Sequence, residues 1–240
     1  MGSPVTYELA GRVARIGMDD GKVNVVSIAM QAALHEALDR AERDAAAVVQ
    51  LRGRDGVFSA GFDLAVFQRG DGEASRAMVI GGFELARRLL AFPRPVLMVS
   101  TGHAIAMGAF LLLSGDYRLA SSAPARITAN EVAIGLTMPR SAIEILRHRL
   151  TKAALSRALL LAEAFAPAAA REAGFVDELV APDELDRRAH DLGDALARLD
   201  LTAHEQSKQR YRERMLRDLD AAIEVDRADL GRAFDSNAAA

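Results

Sequence analysis

Cysteine is absent from the 240 residues, which removes both a disulfide framework and thiolate chemistry. The basic excess of a dedicated nucleic-acid binder is missing too. Lys and Arg number 30 against 33 Asp and Glu, a net charge of −3, so no nucleic-acid partner is expected. No apolar run approaches the roughly 20 residues of a membrane span; the longest is Ala104–Leu113, and no membrane association is expected. His35, His103, His148, His190 and His204 share no ligand spacing, so no metal site is expected. Met1–Thr6 lacks a basic region leading into an apolar core, so the expectation is a chain without a signal peptide, in the cytoplasm. Gly53-Arg54-Asp55-Gly56 falls short of a dinucleotide fingerprint, no P-loop pattern occurs, and Ser59 does not sit in a nucleophile elbow.

What is present is an alternation of strand-like and helix-like segments. Tyr7–Leu9 and Val13–Met18 read as an edge hairpin around Gly11. From Ser27, a candidate N-cap, Met30, Leu34, Ala37, Leu38 and Ala41 recur at helical spacing. Ala46–Leu51, Val96–Ser100 and Asp116–Ala120 read as strands, Ser75–Ala91 and Gly108–Leu113 as helices. This order predicts an α/β fold with parallel strands and helical crossovers. Beyond Pro139 helices dominate (Arg140–Arg149, Lys152–Ala162, Ala168–Ala173), interrupted by a strand at Phe175–Val180. Asp183 is a candidate cap for the next helix. Residues 184–235 read as helical, with a stripe including Leu192, Leu196, Leu199, Met215, Leu219 and Ile223 that must cover the core or another subunit. Arg87-Arg88 and Arg210–Arg217 read as solvated faces, and Asn237–Ala240 as a frayed end.

Two turns carry the chemistry. Phe58-Ser59-Ala60-Gly61-Phe62-Asp63-Leu64 follows the strand at Ala46–Leu51 and a turn-rich stretch; Thr101-Gly102-His103-Ala104-Ile105-Ala106-Met107-Gly108 follows the strand at Val96–Ser100. Tight small-residue turns hold backbone N–H groups in fixed directions, which suits them to an oxyanion. His103, among small apolar neighbours, reads as structural.

With Val48-Val49-Gln50-Leu51, Gly115-Asp116-Tyr117-Arg118, Asn130-Glu131-Val132-Ala133-Ile134-Gly135 and Ala173-Gly174-Phe175-Val176-Asp177, these turns form an ordered set. In that set the chain resembles the enoyl-CoA hydratase/isomerase (crotonase) superfamily. The resemblance implies a crotonase-like spiral of ββα repeats over residues 1–185, and a helical region over 186–240 used in trimer contacts, giving a homotrimer or dimer of trimers. It implies an acyl-CoA thioester substrate, with coenzyme A belonging to the substrate and no further cofactor. The N–H groups of Phe62 and Met107 would bind the thioester oxygen, assisted by the helix beginning at Gly108. The adenosine part of CoA would lie along Val23–Val26 and Ala60–Leu64, so Val23, Val25, Ala60, Asp63, Leu64, Gly108 and Phe110 are the candidate substrate-binding residues. Asp63 reads equally as a helix cap.

Two departures stand out. Hydratases of this family carry a glutamate where this chain has Phe110 and a second where it has Glu131, so one carboxylate remains. Met107 stands where glycine is common, and its Cβ restricts the angles available for aiming its N–H. Pro139 lies eight residues beyond Glu131, a spacing that resembles the single-glutamate Δ3,Δ2-enoyl-CoA isomerases. Hydration needs two proton events; moving a double bond needs one base that takes a proton at Cα and returns it at Cγ. The expectation is therefore an isomerase with Glu131 as base. The alternatives are a hydratase using Glu131 alone, a non-catalytic acyl-CoA binder, and for Glu131 itself a turn carboxylate paired with an arginine.

Overall fold

The computed structural model describes residues 2–238, with side chains through 232. Ala239 and Ala240, the tip of the end expected to fray, lie outside the described residues; the helix before them continues through Ala238.

The chain is built from successive strand–strand–helix units. The first comprises β1 (Val5–Ala10), β2 (Val13–Met18) and α1 (Ile28–Arg43); the second β3 (Val48–Arg52), β4 (Gly56–Ser59), the short α2 (Leu64–Gln68) and α3 (Gly72–Ala91). The third has β5 (Val96–Ser100), β6 (Gly102–Ile105) and α4 (Met107–Leu113); the fourth β7 (Tyr117–Ser121), β8 (Ile127–Thr128) and α5 (Arg140–Arg149). Then follow α6 (Lys152–Leu161), α7 (Pro167–Ala173), β9 (Glu178–Val180), α8 (Leu185–Leu196) and α9 (Leu201–Ala238).

The strands sort into two sheets. The larger runs β1-β2-β3-β5-β7-β9, antiparallel only at the β1–β2 hairpin; the smaller is the parallel sheet β4-β6-β8. Each of the middle units therefore gives its first strand to one sheet and its second to the other. β5 is buried at every position, and β3 at all but its last, because helices cover both faces of the large sheet. α1, α3, α4 and α5 close the main core; α8 covers the opposite face of β3, β5 and β7 through Leu185 and Ala189, joined by Ala197 just after its end.

The strand expectations for the large sheet and most helix expectations match within a few residues. The second strand of each unit after the first differs: β4 and β6 were expected as turns, and β8 was not anticipated. These strands are four, four and two residues long, too short for a periodicity to register. Asp183 does not cap α8. It lies inside a single turn of 3₁₀ helix, Pro182–Glu184, and makes no capping bond.

Most of the Leu192–Ile223 stripe is used within the chain, while Leu199 stays 46% exposed. Leu219 and Ile223 enter the main core with Met215 beside them, and Leu192 and Leu196 pack on the second face of the sheet. Asp226 of α9, 5% exposed, accepts hydrogen bonds from the backbone nitrogens of Arg140 and Ser141 at 3.0 and 2.8 Å and from the Ser141 hydroxyl at 2.7 Å. It thus serves as a cap delivered from a distant helix to the N-terminus of α5. The arginine-rich stretches are not uniformly solvated faces. Arg212 is 3% exposed, and with Lys208 it holds Asp116 at 2.9 and 2.7 Å; Arg88 pairs with Asp39 and Glu42. Burial drives the Lys208 pKa down to about 8 despite its carboxylate partner. No described helix is long and apolar enough to cross a membrane.

Candidate active site

The three strands of the small sheet run parallel with β6 in the middle, so their C-terminal ends share one edge. Phe62 follows the end of β4, Met107 the end of β6 and Glu131 the end of β8, each within three residues. The carboxyl edge of a parallel sheet is where open α/β folds place their ligands, and here it collects the three candidate catalytic residues.

The two turns touch. Gly61 has φ +88°, and a Cβ built on it would stand 2.8 Å from the Ile105 carbonyl oxygen and 3.3 Å from the Met107 nitrogen. A Cβ on Gly108 would stand 2.3 Å from the Ser59 carbonyl oxygen. Only glycine lets the start of α4 approach β4 this closely.

The orientation of both N–H groups follows from what their peptide carbonyls do. The Gly61 carbonyl accepts from Val26 N at 2.7 Å. A trans peptide points its C=O and N–H in opposite directions, so Phe62 N–H is aimed away from Val26. The Ala106 carbonyl accepts from Ala109 and Phe110 at 2.8 and 3.1 Å, which aims Met107 N–H outward from the N-terminus of α4, roughly along its axis. Neither N–H finds an acceptor among the described residues. The restricted backbone expected at Met107 falls one residue earlier: Ala106 adopts φ 49°, ψ −121°. That is a region alanine rarely visits, at a cost on the order of 1–3 kcal/mol.

Glu131 is 7% exposed and its Oε2 has no hydrogen-bond partner. Burial pushes its pKa from 4.5 up to about 7, only partly opposed by its own backbone N–H. No arginine or lysine pairs with it among the described residues, so the reading as an ion-paired turn carboxylate does not hold. A single 3₁₀ turn, Val132–Ile134, follows it, and its carbonyl accepts from Ile134 and Leu136 at 3.1 and 2.9 Å. Asn130 Oδ1 is a second buried acceptor without a donor, a feature the sequence did not signal.

The candidate substrate-binding residues are largely brought together. Ala60 N donates to the Val23 carbonyl at 2.9 Å, and Val25 bridges to Gly61. Val23 and Leu64 leave 45% and 58% of their surface exposed, an apolar pair beside the turn. Asp63 caps α2, its Oδ1 accepting from Ala65 N at 3.0 Å. Phe110 is 1% exposed and stacks on Phe83 at 6.0 Å and 25°; Phe83 in turn meets Phe62 edge-on at 6.4 Å. Phe110 is thus core, one turn along α4 from Met107, and α4 carries no ionisable residue. His103 Nδ1 accepts from Arg126 N at 3.0 Å, a structural role.

The sequence also missed the scaffold behind the first turn. Asn24, fully buried with φ 54°, donates its amide to the carbonyls of Met18 and Phe58 at 3.0 and 3.2 Å. Ser59 Oγ donates to the Asn24 carbonyl at 2.6 Å and accepts from Gly61 N at 3.2 Å. Away from this edge, a groove of about 380 Å³ lies between β1–β3 and α8, lined by Arg15, Arg52 and His190 among others. Its two arginines are already paired with Glu8 and Asp186, and none of the candidate site residues reaches it.

Comparison with known proteins gives the same family from several directions. The family profile described as enoyl-CoA hydratase/isomerase matches residues 8–239. A peroxisomal enoyl-CoA delta isomerase 2 of Arabidopsis thaliana is 32% identical over 133 residues, covering 53% of this chain and 55% of the relative, so the match spans about half of that protein's length. A putative enoyl-CoA hydratase of Thermus thermophilus is 30% identical over 78% of this chain and 76% of its own. Among solved structures, an Mtb enoyl-CoA isomerase superposes with a TM-score of 0.91 at 45% identity, over 95% of this chain and 99% of that one. An enoyl-CoA hydratase from Mycobacterium marinum gives the same values. From the two-sheet spiral, the touching turns and these matches together, the chain belongs to the enoyl-CoA hydratase/isomerase family.

Proposed function

We propose that this protein processes acyl-CoA thioesters and that its principal reaction is movement of an enoyl double bond from Cβ–Cγ to Cα–Cβ, with Glu131 as its single base. The Glu131 carboxylate removes a proton from Cα. The electron pair delocalises into a dienolate, and the same carboxyl returns the proton at Cγ. The thioester oxygen, charged in the dienolate, accepts from Phe62 and Met107 N–H; the loss of one such donor costs on the order of 2.7–4 kcal/mol of barrier. The donors are unpartnered main-chain groups held by Val26 and by the first turn of α4, so they need no reorganisation as charge develops.

The observation that carries the reading is the buried, unpaired carboxylate of Glu131 at the edge of the small sheet. A pKa of about 7 suits a base that must both accept and release a proton near neutrality. Phe110 and the apolar α4 supply no second carboxylate where hydration would want one. The hydratase names of several relatives support the second reading, hydration of a 2-enoyl-CoA by Glu131 alone. Coenzyme A enters as part of the substrate and no other cofactor is required. The homotrimer or dimer of trimers belongs to the same proposal, and light scattering of the purified protein tests it.

The experiment is turnover of a 3-enoyl-CoA in deuterated water. One base serving both carbons yields 2-enoyl-CoA in which part of the hydrogen newly added at Cγ is protium carried over from Cα rather than solvent deuterium. Absence of 2-enoyl product, with hydration of 2-enoyl-CoA instead, favours the second reading; no turnover of any acyl-CoA overturns both.

A further inference from the structure

We infer that Gln31, remote in sequence from both turns, is a positioning residue that fixes the aim of Phe62 N–H; the inference rests on the oxyanion role proposed above. Gln31 is 5% exposed, on the α1 face turned toward α3. Its Nε2 donates to the Val26 carbonyl at 3.1 Å and to the Met78 carbonyl at 2.8 Å. Both partners can only accept, so the amide orientation is set by chemistry. Both N–H bonds of one amide are thereby used to tie α3 to the segment entering α1.

Val26 is the next link. Its carbonyl is held by Gln31, and its N–H holds the Gly61 carbonyl at 2.7 Å. The Gly61–Phe62 peptide is the one whose N–H faces the site. A shift at Val26 therefore rotates the peptide and swings the donor. The other end of that peptide is seated on the same helix: a Cβ on Gly82 would stand 2.6 Å from the Phe62 ring, and a Cβ on Gly81 would stand 2.4 Å from Gln31 Oε1. Consecutive glycines of α3 thus receive the two elements that bracket the peptide, Gln31 acting through Val26 on its carbonyl side and the Phe62 ring on its nitrogen side. Glycine costs a helix interior stability relative to alanine; here it admits both side chains.

The test uses Gln31→Leu, Gly81→Ala and their combination. Gly81→Ala keeps the amide but crowds it out of place while favouring the helix, so it carries the test if Gln31→Leu does not fold. A 3-ketoacyl-CoA whose enolate absorbs in the near ultraviolet reports oxyanion binding, and calorimetry reports total affinity. In folded variants kcat is expected to fall 10–100-fold with KM within about threefold, in line with the ~10²-fold cost of small misplacements. The enolate signal is lost while affinity persists, and the double variant is no worse than the single ones, because both act through one group. Wild-type kcat and enolate signal in folded Gln31→Leu would overturn the positioning role. Absence of turnover and of enolate signal in the wild type would instead overturn the oxyanion reading beneath it.

Discussion

A Cβ on Gly61 would stand 3.3 Å from the Met107 nitrogen: the two turns that present backbone donors are in van der Waals contact. Gly61→Ala meets both this wall and a left-handed φ of +88°, and displaces the Phe62 donor relative to Met107. The expected loss is on the order of 100-fold in kcat, with destabilisation of about 1–3 kcal/mol from the backbone conformation. Steady-state kinetics and urea denaturation measure the two effects.

Ala106 is strained on the far side of the same contact. Ala106→Gly is expected to stabilise the fold by about 1 kcal/mol, the relief of strain exceeding the entropy glycine adds to the unfolded chain, with kcat within about twofold. Ala106→Val, whose branched Cβ worsens the same conformation, is expected to lose stability. The urea midpoints of the two variants bracket the effect.

Glu131 couples folding to pH. Its pKa is higher folded, about 7, than its ordinary value of 4.5. The native state therefore holds the proton in a range where the unfolded state has released it. Stability is full below about 4.5 and falls as pH rises toward 7. The difference corresponds to about 3 kcal/mol. Glu131→Gln is thus expected to match the wild type near pH 4 and to exceed it by up to about 3 kcal/mol at pH 8. Activity runs the other way, with kcat rising through pH 7 as the base ionises, so paired stability and rate profiles check the assignment.

Asp226 holds the N-terminus of α5 from α9. Asp226→Ala leaves the Ser141 hydroxyl and two backbone N–H groups without their acceptor, and is expected to cost about 2–4 kcal/mol. Asp226→Asn, keeping one acceptor oxygen, is expected to cost less. Urea denaturation followed by circular dichroism measures both.

The large sheet was legible because its central strands are largely apolar runs buried on both faces, as at Val96–Ser100. α1 was legible from its cap and its spacing. The small sheet was not: its ladders join Gly56 to Gly102 and Ala104 to Ile127, pairings no local pattern encodes. Phe62, Met107 and Glu131 were legible through the resemblance, but the strand edge that aligns them was not. Ala106 carries no signature of strain, since alanine is unremarkable in any turn. Nothing in the spacing marked Gln31 beside Met30, and Arg212 read as part of a solvated face, because burial by a distant segment leaves no trace in spacing.

Glu131→Gln and the wild type, assayed side by side on a 3-enoyl-CoA and a 2-enoyl-CoA, bear most directly on the one-base mechanism. The wild type is expected to isomerise the first faster than it hydrates the second. The substitution is expected to remove isomerisation by about 10²–10⁴-fold, the range of a positioned general base, with acyl-CoA affinity kept. Hydration outrunning isomerisation in the wild type, or isomerisation persisting at the wild-type rate in Glu131→Gln, would contradict it.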